Sequence, residues 1–208
     1  MTRGLFISVE GIDGVGKSTQ LELLEQFLVE QGRTVLRTLE PGGTDLGQEI
    51  RHLLLHRKGD VAPRSEALLY AADRAHHVAT KIRPALERGE VVLTDRYLDS
   101  SVAYQGVGRA LDADEVRAIS MFAVENLLPA LTILLDLPAE VARARRGQTG
   151  QEPDRLEREK VEFFEAVRQA YLQMAAQEPN RWLVIDASSS IEAMQTQIRD
   201  RVKHLLAS

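Results

Sequence analysis

Apolar residues follow two rhythms along this chain. Short runs with almost no charge stand at Leu5–Val9, Val91–Thr94, Leu131–Leu135 and Trp182–Ile185, with a weaker one at Thr34–Thr38 that contains Arg37. Uncharged runs of this length predict strands buried on both faces, as in a parallel sheet. Between them the apolar spacing lengthens to that of helices. Leu21, Leu24, Phe27 and Leu28 form one stripe before Gly32. Leu68, Ala72, Ala75, Val78, Ala79, Ile82 and Leu86 form a second, ending near Gly89. Leu156, Phe163, Val167, Tyr171 and Met174 form a third before Pro179, and Ile191, Met194, Ile198, Val202 and Leu205 a fourth. Glycine and proline at these borders are helix stops. Strands alternating with helices predict right-handed βαβ units: an α/β fold with a five-stranded parallel sheet flanked by helices. Gly147–Pro153 has no large apolar side chain, which predicts a loop between two helices.

Composition narrows this picture. A chain of 208 residues suits one domain, 1–208, with a core that needs no covalent staples. Cysteine is absent, so disulfides, thiol nucleophiles and zinc ribbons are excluded. The net charge of −5 argues against binding nucleic acid in bulk. Met1–Glu10 lacks the apolar core of a signal peptide, and no run reaches the roughly 18 to 20 apolar residues of a membrane span. The expectation is a cytoplasmic protein with no membrane partner.

The first strand runs into Gly11-Ile12-Asp13-Gly14-Val15-Gly16-Lys17-Ser18, a full match to G-x-x-x-x-G-K-[ST] between a strand and a helix. Glycines let the backbone curl until successive N–H groups converge on phosphate oxygens. The helix starting near Lys17 turns its positive end to the same point. Lys17 suits the β- and γ-phosphates, and Ser18 suits Mg²⁺. A dinucleotide fingerprint fails, because its third glycine would fall at Thr19. Asp95, closing the third strand, matches the acid that orients Mg²⁺. Asp136 ends the fourth strand similarly, although a helix cap before Pro138 is its plainer role.

Phosphoryl transfer needs alignment, charge neutralisation and exclusion of water. Arg96 follows Asp95 at the strand end, where open α/β sheets bind ligands. Tyr70 and Arg74 are four residues apart on a helix and share a face, a ring and a guanidinium that could hold a base. The segment 143–158 carries five arginines, at 143, 145, 146, 155 and 158, against the acids Glu152, Asp154 and Glu157. Arginines beside a polar loop suit a lid that closes over a triphosphate.

Asp95-Arg96-Tyr97-Leu98-Asp99-Ser100-Ser101-Val102-Ala103-Tyr104-Gln105-Gly106 resembles the D-R-[YH]-x-x-S-x-x-A-Y-Q-G signature of bacterial thymidylate kinases. Glu40-Pro41-Gly42-Gly43-Thr44 is similar to that family's E-P-G-G-T turn, Ala71-Ala72-Asp73-Arg74 to its A-x-R helix, and Asp154-Arg155 to its lid element. The resemblance spans nearly the whole chain. It implies a three-layer P-loop NTPase fold with a short arginine-bearing lid at about 143–158, and transfer of the ATP γ-phosphoryl to dTMP, giving dTDP and ADP on the way to dTTP. It also implies a homodimer.

By the same resemblance, Gly11, Gly14, Val15, Gly16, Lys17, Ser18 and Thr19 serve ATP, and Ser18 and Asp95 serve Mg²⁺. Arg96 holds the dTMP phosphate, with Asp13 facing the acceptor. Tyr70 stacks on thymine, Arg74 bonds its exocyclic oxygen, and Ser101 and Gln105 read its edge. Tyr104 crowds the 2′ position. Arg155 comes from the lid with Arg143 or Arg146. The family's Arg before E-P-G-G-T is Leu39 here, so the charge contact that Arg makes is either missing or supplied elsewhere, with Arg37 as a candidate. Asp13 stands where some relatives carry Glu, one methylene longer.

A kinase for another deoxynucleotide would share many of these features, whereas a GTPase switch would carry N-K-x-D, which the sequence lacks. His52 and His56 are four apart without an evident third ligand, so they read as helix surface. His76 and His77 point to different faces and invite no role. Trp182 reads as strand packing.

Overall fold

The computed structural model describes residues 4–147 and 154–207. Five strands form one parallel sheet: β1 (Phe6–Glu10), β2 (Val35–Leu39), β3 (Val91–Asp95), β4 (Leu131–Asp136) and β5 (Trp182–Asp186), in the order β2-β3-β1-β4-β5. Each predicted strand is present. β1 and β2 lie one residue later than the pattern indicated, and β3, β4 and β5 run one residue further. Val9 lies beside Asp95, Glu10 beside Leu134, and Leu39 beside Asp95. The register therefore gathers Glu10, Leu39 and Asp95 at one carboxyl edge, where a parallel sheet presents ligands.

Helices cover both faces. α1 (Lys17–Glu30), α2 (Asp45–Leu55) and α3 (Pro63–His77) come first. A π-helical turn, Val78–Ile82, joins α3 to α4 (Arg83–Glu87). α5 (Leu98–Ser101) runs into a π-helical stretch, Val102–Gly108, and then come α6 (Ala113–Ala123), α7 (Ala139–Gly147), α8 (Val161–Gln177) and α9 (Ile191–Ala207). Ile7, Val9, Leu93 and Ile133 face the larger core with α1, α8 and α9. Phe6 and Val92 face a smaller one with Ile82, Leu86, Tyr97 and Leu127. Successive strand residues point to opposite faces, so the two cores interleave along β1 and β3. Ser8 lies in this buried sheet because its hydroxyl finds Thr132 Oγ1 at 3.1 Å.

Two helical stripes depart from their pattern. In α3 the buried side is Glu66, Ala67, Tyr70, Asp73, Arg74 and His77, while Leu68 and Ala72 face outward. Polar partners override the apolar rhythm there, and further on Val78, Ile82 and Leu86 are buried as the pattern indicated while Ala79 is exposed. Leu156 is buried but belongs to a turn ahead of α8. α6 went unmarked because its inward face is only Val116 and Ser120, with Phe122 outside. The centre of the proposed 147–153 loop, residues 148–153, lies outside the described residues. Among the described residues no helix is long and apolar enough to cross a membrane.

Candidate active site

The phosphate loop follows β1 directly. Gly16 sits in the left-handed region at φ 98° and caps α1, and no acid occupies the first turn of that helix. The unpaired N–H groups of a helix start therefore face the cleft with their positive end unopposed. Gly14 is required twice: its φ is +88°, and a Cβ there would run into the Ala142 carbonyl of α7. Val15 anchors the loop by burial in the core. Lys17 Nζ donates to the Gly11 and Ile12 carbonyls, each at 3.1 Å, and stands 3.7 Å from Asp13 Oδ1. Burial, with the Arg96 charge nearby, lowers its pKa, and Asp13, Asp95 and Glu10 oppose that shift. Gly14, Gly16, Lys17, Ser18 and Thr19 line a cleft of about 950 Å³ together with Asp95, Arg96, Arg145 and Arg146. Asp95 Oδ1 is buried and has no hydrogen-bond partner among the described residues. An unpaired buried carboxylate oxygen beside Ser18 in one cleft is a hard donor set that fits Mg²⁺.

A second pocket, about 550 Å³, adjoins the first. Tyr70, Arg74, Ser101, Tyr104 and Gln105 line it, and Asp13, Glu40, Arg51 and Arg96 line both cavities. Arg96 is a non-glycine residue at φ 68°, a conformation that structure must enforce. Its N–H donates to the Val9 carbonyl at 3.0 Å, and Thr94 Oγ1 donates to its carbonyl at 2.9 Å. The guanidinium lies 4.9 Å from the Tyr104 ring centroid and reaches Asp13 Oδ1 at 2.8 Å, Tyr104 Oη at 3.1 Å and Ser100 Oγ at 3.3 Å. Burial would raise the Asp13 pKa, but the Arg96 and Lys17 charges outweigh it and hold the group at about 2.

Beneath Arg96 lies Glu10, fully buried. It accepts from Tyr97 N–H at 2.8 Å, Ser100 Oγ at 2.6 Å and Tyr171 Oη at 3.1 Å. Burial first, and the Asp99 charge second, push its pKa up to about 8. Glu40 anchors the other side. Arg74 Nε donates to it at 2.6 Å and His77 Nδ1 at 3.0 Å, and Thr38 Oγ1 meets His77 Nε2 at 2.7 Å. All these groups except Thr38 are nearly inaccessible. Breaking one partner of such a buried pair costs about 3–5 kcal/mol. His77, which the sequence offered no role, thus supports the Glu40-Pro41 turn.

Several expectations change here. Arg37 does not replace the charge missing at Leu39, because it points away to Glu25 at 3.2 Å. Arg51 stands in the cleft instead, donating to the Pro41 carbonyl at 2.8 Å. The α2 helix brings it there, started by Thr44 Oγ1 accepting from Gly47 N–H. Asp136 is not a helix cap: Arg168 clasps both its oxygens at 2.7 and 3.0 Å, and Glu165 takes the Ala139 N–H in its place. The lid arginines separate. Arg145 and Arg146 border the phosphate cleft, with Arg146 paired to Glu157 at 2.7 Å. Arg143 lines a small neighbouring recess with Asp13. Arg155 lies away from the phosphate loop and donates to the Leu54 carbonyl at 2.8 Å and to Glu66. His52 and His56 remain surface residues, and no metal-binding cluster occurs among the described residues.

Comparison with known proteins decides among kinases sharing this layout. The thymidylate kinase family model matches residues 9–198. The chain belongs to the thymidylate kinase family. It is 66% identical over 199 residues to the thymidylate kinase of Leifsonia xyli, covering 96% of this chain and 94% of that one. It is 56% identical to that of Bifidobacterium longum, covering 97% and 98%. The crystal structure of thymidylate kinase from Ehrlichia chaffeensis superposes with a TM-score of 0.78 at 29% identity, over 96% of this chain and 99% of that one. Membership makes this chain an ATP-dependent kinase on a P-loop NTPase fold. The same membership separates it from the switch reading, which the missing N-K-x-D had already weakened.

Proposed function

We propose that residues 1–208 act as one thymidylate kinase unit, with a lid at about 143–158, that transfers the ATP γ-phosphoryl group to dTMP in the cytoplasm. One observation carries the assignment of roles: Asp13 and Arg96 line both the phosphate cleft and the aromatic–guanidinium pocket. An acceptor phosphate held there meets the donor's terminal phosphate head-on.

Thymine lies against Tyr70, with Arg74, Ser101 and Gln105 around its edge and Tyr104 against the sugar. The dTMP phosphate displaces Asp13 as the partner of Arg96, a bidentate site for a dianion. Asp13 stays ionised throughout, given its low pKa, and shares Lys17 with the donor side. The second pKa of a phosphate monoester is near 6, so the attacking oxygen carries no proton at neutral pH and the site needs no general base. The oxygen–phosphorus bond to dTMP forms as the bond to the β-phosphate oxygen breaks, leaving dTDP and ADP. Lys17, the helix start and the lid arginines Arg143 and Arg146 neutralise the equatorial oxygens. Arg155 joins them only if lid closure frees it from Glu66. Ser18 and Asp95 would hold Mg²⁺, which when bound screens the donor phosphates.

A coupled ADP-release assay with dTMP, dUMP, dCMP and thymidine tests this. The highest kcat/KM is expected with dTMP, and chelating Mg²⁺ should stop release. Equal rates across the four acceptors would overturn the substrate assignment.

A homodimer is supported by an apolar surface on α3 and α6. Phe122 is 87% exposed and Leu68 55%, and Arg64 of α3 pairs with Glu115 of α6 at 3.2 Å. Sedimentation should show two chains per particle, and Phe122→Glu should shift it toward one.

A further inference from the structure

Glu66 is wholly buried on α3, one turn before Tyr70 and two before Arg74. Neither a place in the pocket wall nor any phosphate chemistry accounts for a carboxylate there. Its oxygens are taken by three donors. Gln105 Nε2 reaches Oε1 at 2.8 Å, Arg109 Nε reaches the same oxygen at 3.3 Å, and Arg155 Nη2 reaches Oε2.

An ionised carboxylate only accepts hydrogen bonds, so the end of the Gln105 amide facing Glu66 must be the nitrogen. The Gln105 oxygen then faces the other way. Among the described residues Gln105 makes no side-chain hydrogen bond besides the one to Glu66, and it lines the pocket with Tyr70 and Arg74. Arg74 is oriented just as firmly. Glu40, Ser120, the Tyr97 carbonyl and Ser101 take four of its N–H groups. A guanidinium has five, so one donor remains. The pocket edge thus presents one acceptor and one donor whose polarity cannot be exchanged by rotating an amide.

We propose that Glu66 is a positioning residue for base specificity: it locks the Gln105 amide with its oxygen toward the acceptor base, which selects a pyrimidine carrying N3–H and a 4-oxo group. This rests on the reading that the pocket takes the dTMP base. Thymine and uracil offer N3–H to Gln105 and O4 to Arg74. Cytosine offers a bare N3 and an N4 amino group, so acceptor would meet acceptor and donor would meet donor. A site built to hydrogen-bond a substrate edge rejects the mismatched analogue strongly, because its own buried groups stay unpaired.

The test compares kcat/KM for dTMP and dCMP, by ADP release, in the wild-type chain, in Glu66→Gln, and in the reciprocal exchange Glu66→Gln with Gln105→Glu. The single variant frees the Gln105 amide to turn over. The dTMP:dCMP ratio should fall about 10-fold or more, through KM for dTMP, with KM for ATP unchanged. The exchange again puts an acceptor oxygen toward the base and should restore the ratio. Thermal melts of each variant establish that folded protein is compared. A wild-type chain that uses dCMP as well as dTMP would overturn the substrate reading itself. A wild-type preference for dTMP that survives in Glu66→Gln, or is lost there and not recovered by the exchange, would overturn the role of Glu66 alone.

Discussion

The two halves of the site are built from different materials. The floor of the phosphate cleft is made chiefly of backbone: a glycine loop, a helix start and one lysine, within the nine consecutive residues Gly11–Thr19. The acceptor pocket is made of side chains from α2, α3, the segment after β3 and the turn before α8, and its polar ones rest on buried partners at three places. Glu40 holds Arg74, Glu66 holds Gln105, and Glu10 with Ser100 and Tyr171 supports the bed under Arg96. Any nucleoside triphosphate presents the same phosphates, so a cradle of N–H groups suffices on the donor side. Discrimination among bases requires donors and acceptors of set polarity, and those need rigid neighbours. Asp13 and Arg96 belong to both halves and mark the line where the phosphoryl group crosses.

Substitutions on either side should separate the halves. The largest effect is expected from Lys17→Ala, which should lower kcat by about 10³-fold or more while the far-ultraviolet spectrum and melting stay close to wild type. Turnover near wild type would remove Lys17 from the donor side. Arg96→Ala should lower kcat/KM for dTMP by about 10²-fold and leave KM for ATP within about 3-fold. A loss confined to ATP would move Arg96 across the line. Arg51→Ala should weaken turnover by about 10-fold, since its guanidinium lines the phosphate cleft together with Leu39, whereas Arg37→Ala should change nothing. Equal effects of the two would return that role to Arg37.

The smallest expected effect is on stability. Glu10 keeps its proton to about pH 8 when folded but releases it near 4.5 when unfolded. The unfolded chain binds fewer protons between these values, so this group's contribution to stability falls as pH rises through that window. Glu10→Gln cannot lose the proton. The melting temperature of the variant minus that of wild type should therefore climb from pH 5 to pH 8 and level off above. A flat difference would mean that Glu10 is ionised in the folded state.

The same contrast of materials decides what could be seen in the sequence. The five strands and the phosphate loop were legible because burial and backbone curvature leave local marks: uncharged runs and spaced glycines. Of the acceptor pocket, spacing showed Tyr70 with Arg74 and the strand end showed Arg96, but the rest came through resemblance to a family, since Glu40 and Arg74 are 34 positions apart and neither declares the other. Glu66 drew no attention and His77 was given no role, because a buried polar contact has no periodicity of its own. Arg51 was overlooked for Arg37, which stood closer in sequence to the altered turn but faces Glu25. The lid arginines were recognised as a group, but their partition among Glu157, Glu66 and the Ala187 carbonyl is a matter of tertiary contacts.

The division of the site is tested most directly by calorimetric titration of dTMP, without ATP, into wild type, Arg96→Ala and Lys17→Ala. Arg96→Ala should weaken dTMP binding by about 100-fold, and Lys17→Ala should leave it within about 3-fold of wild type. Equal weakening by both, or a larger loss from Lys17→Ala, would contradict an acceptor pocket built apart from the phosphate cradle.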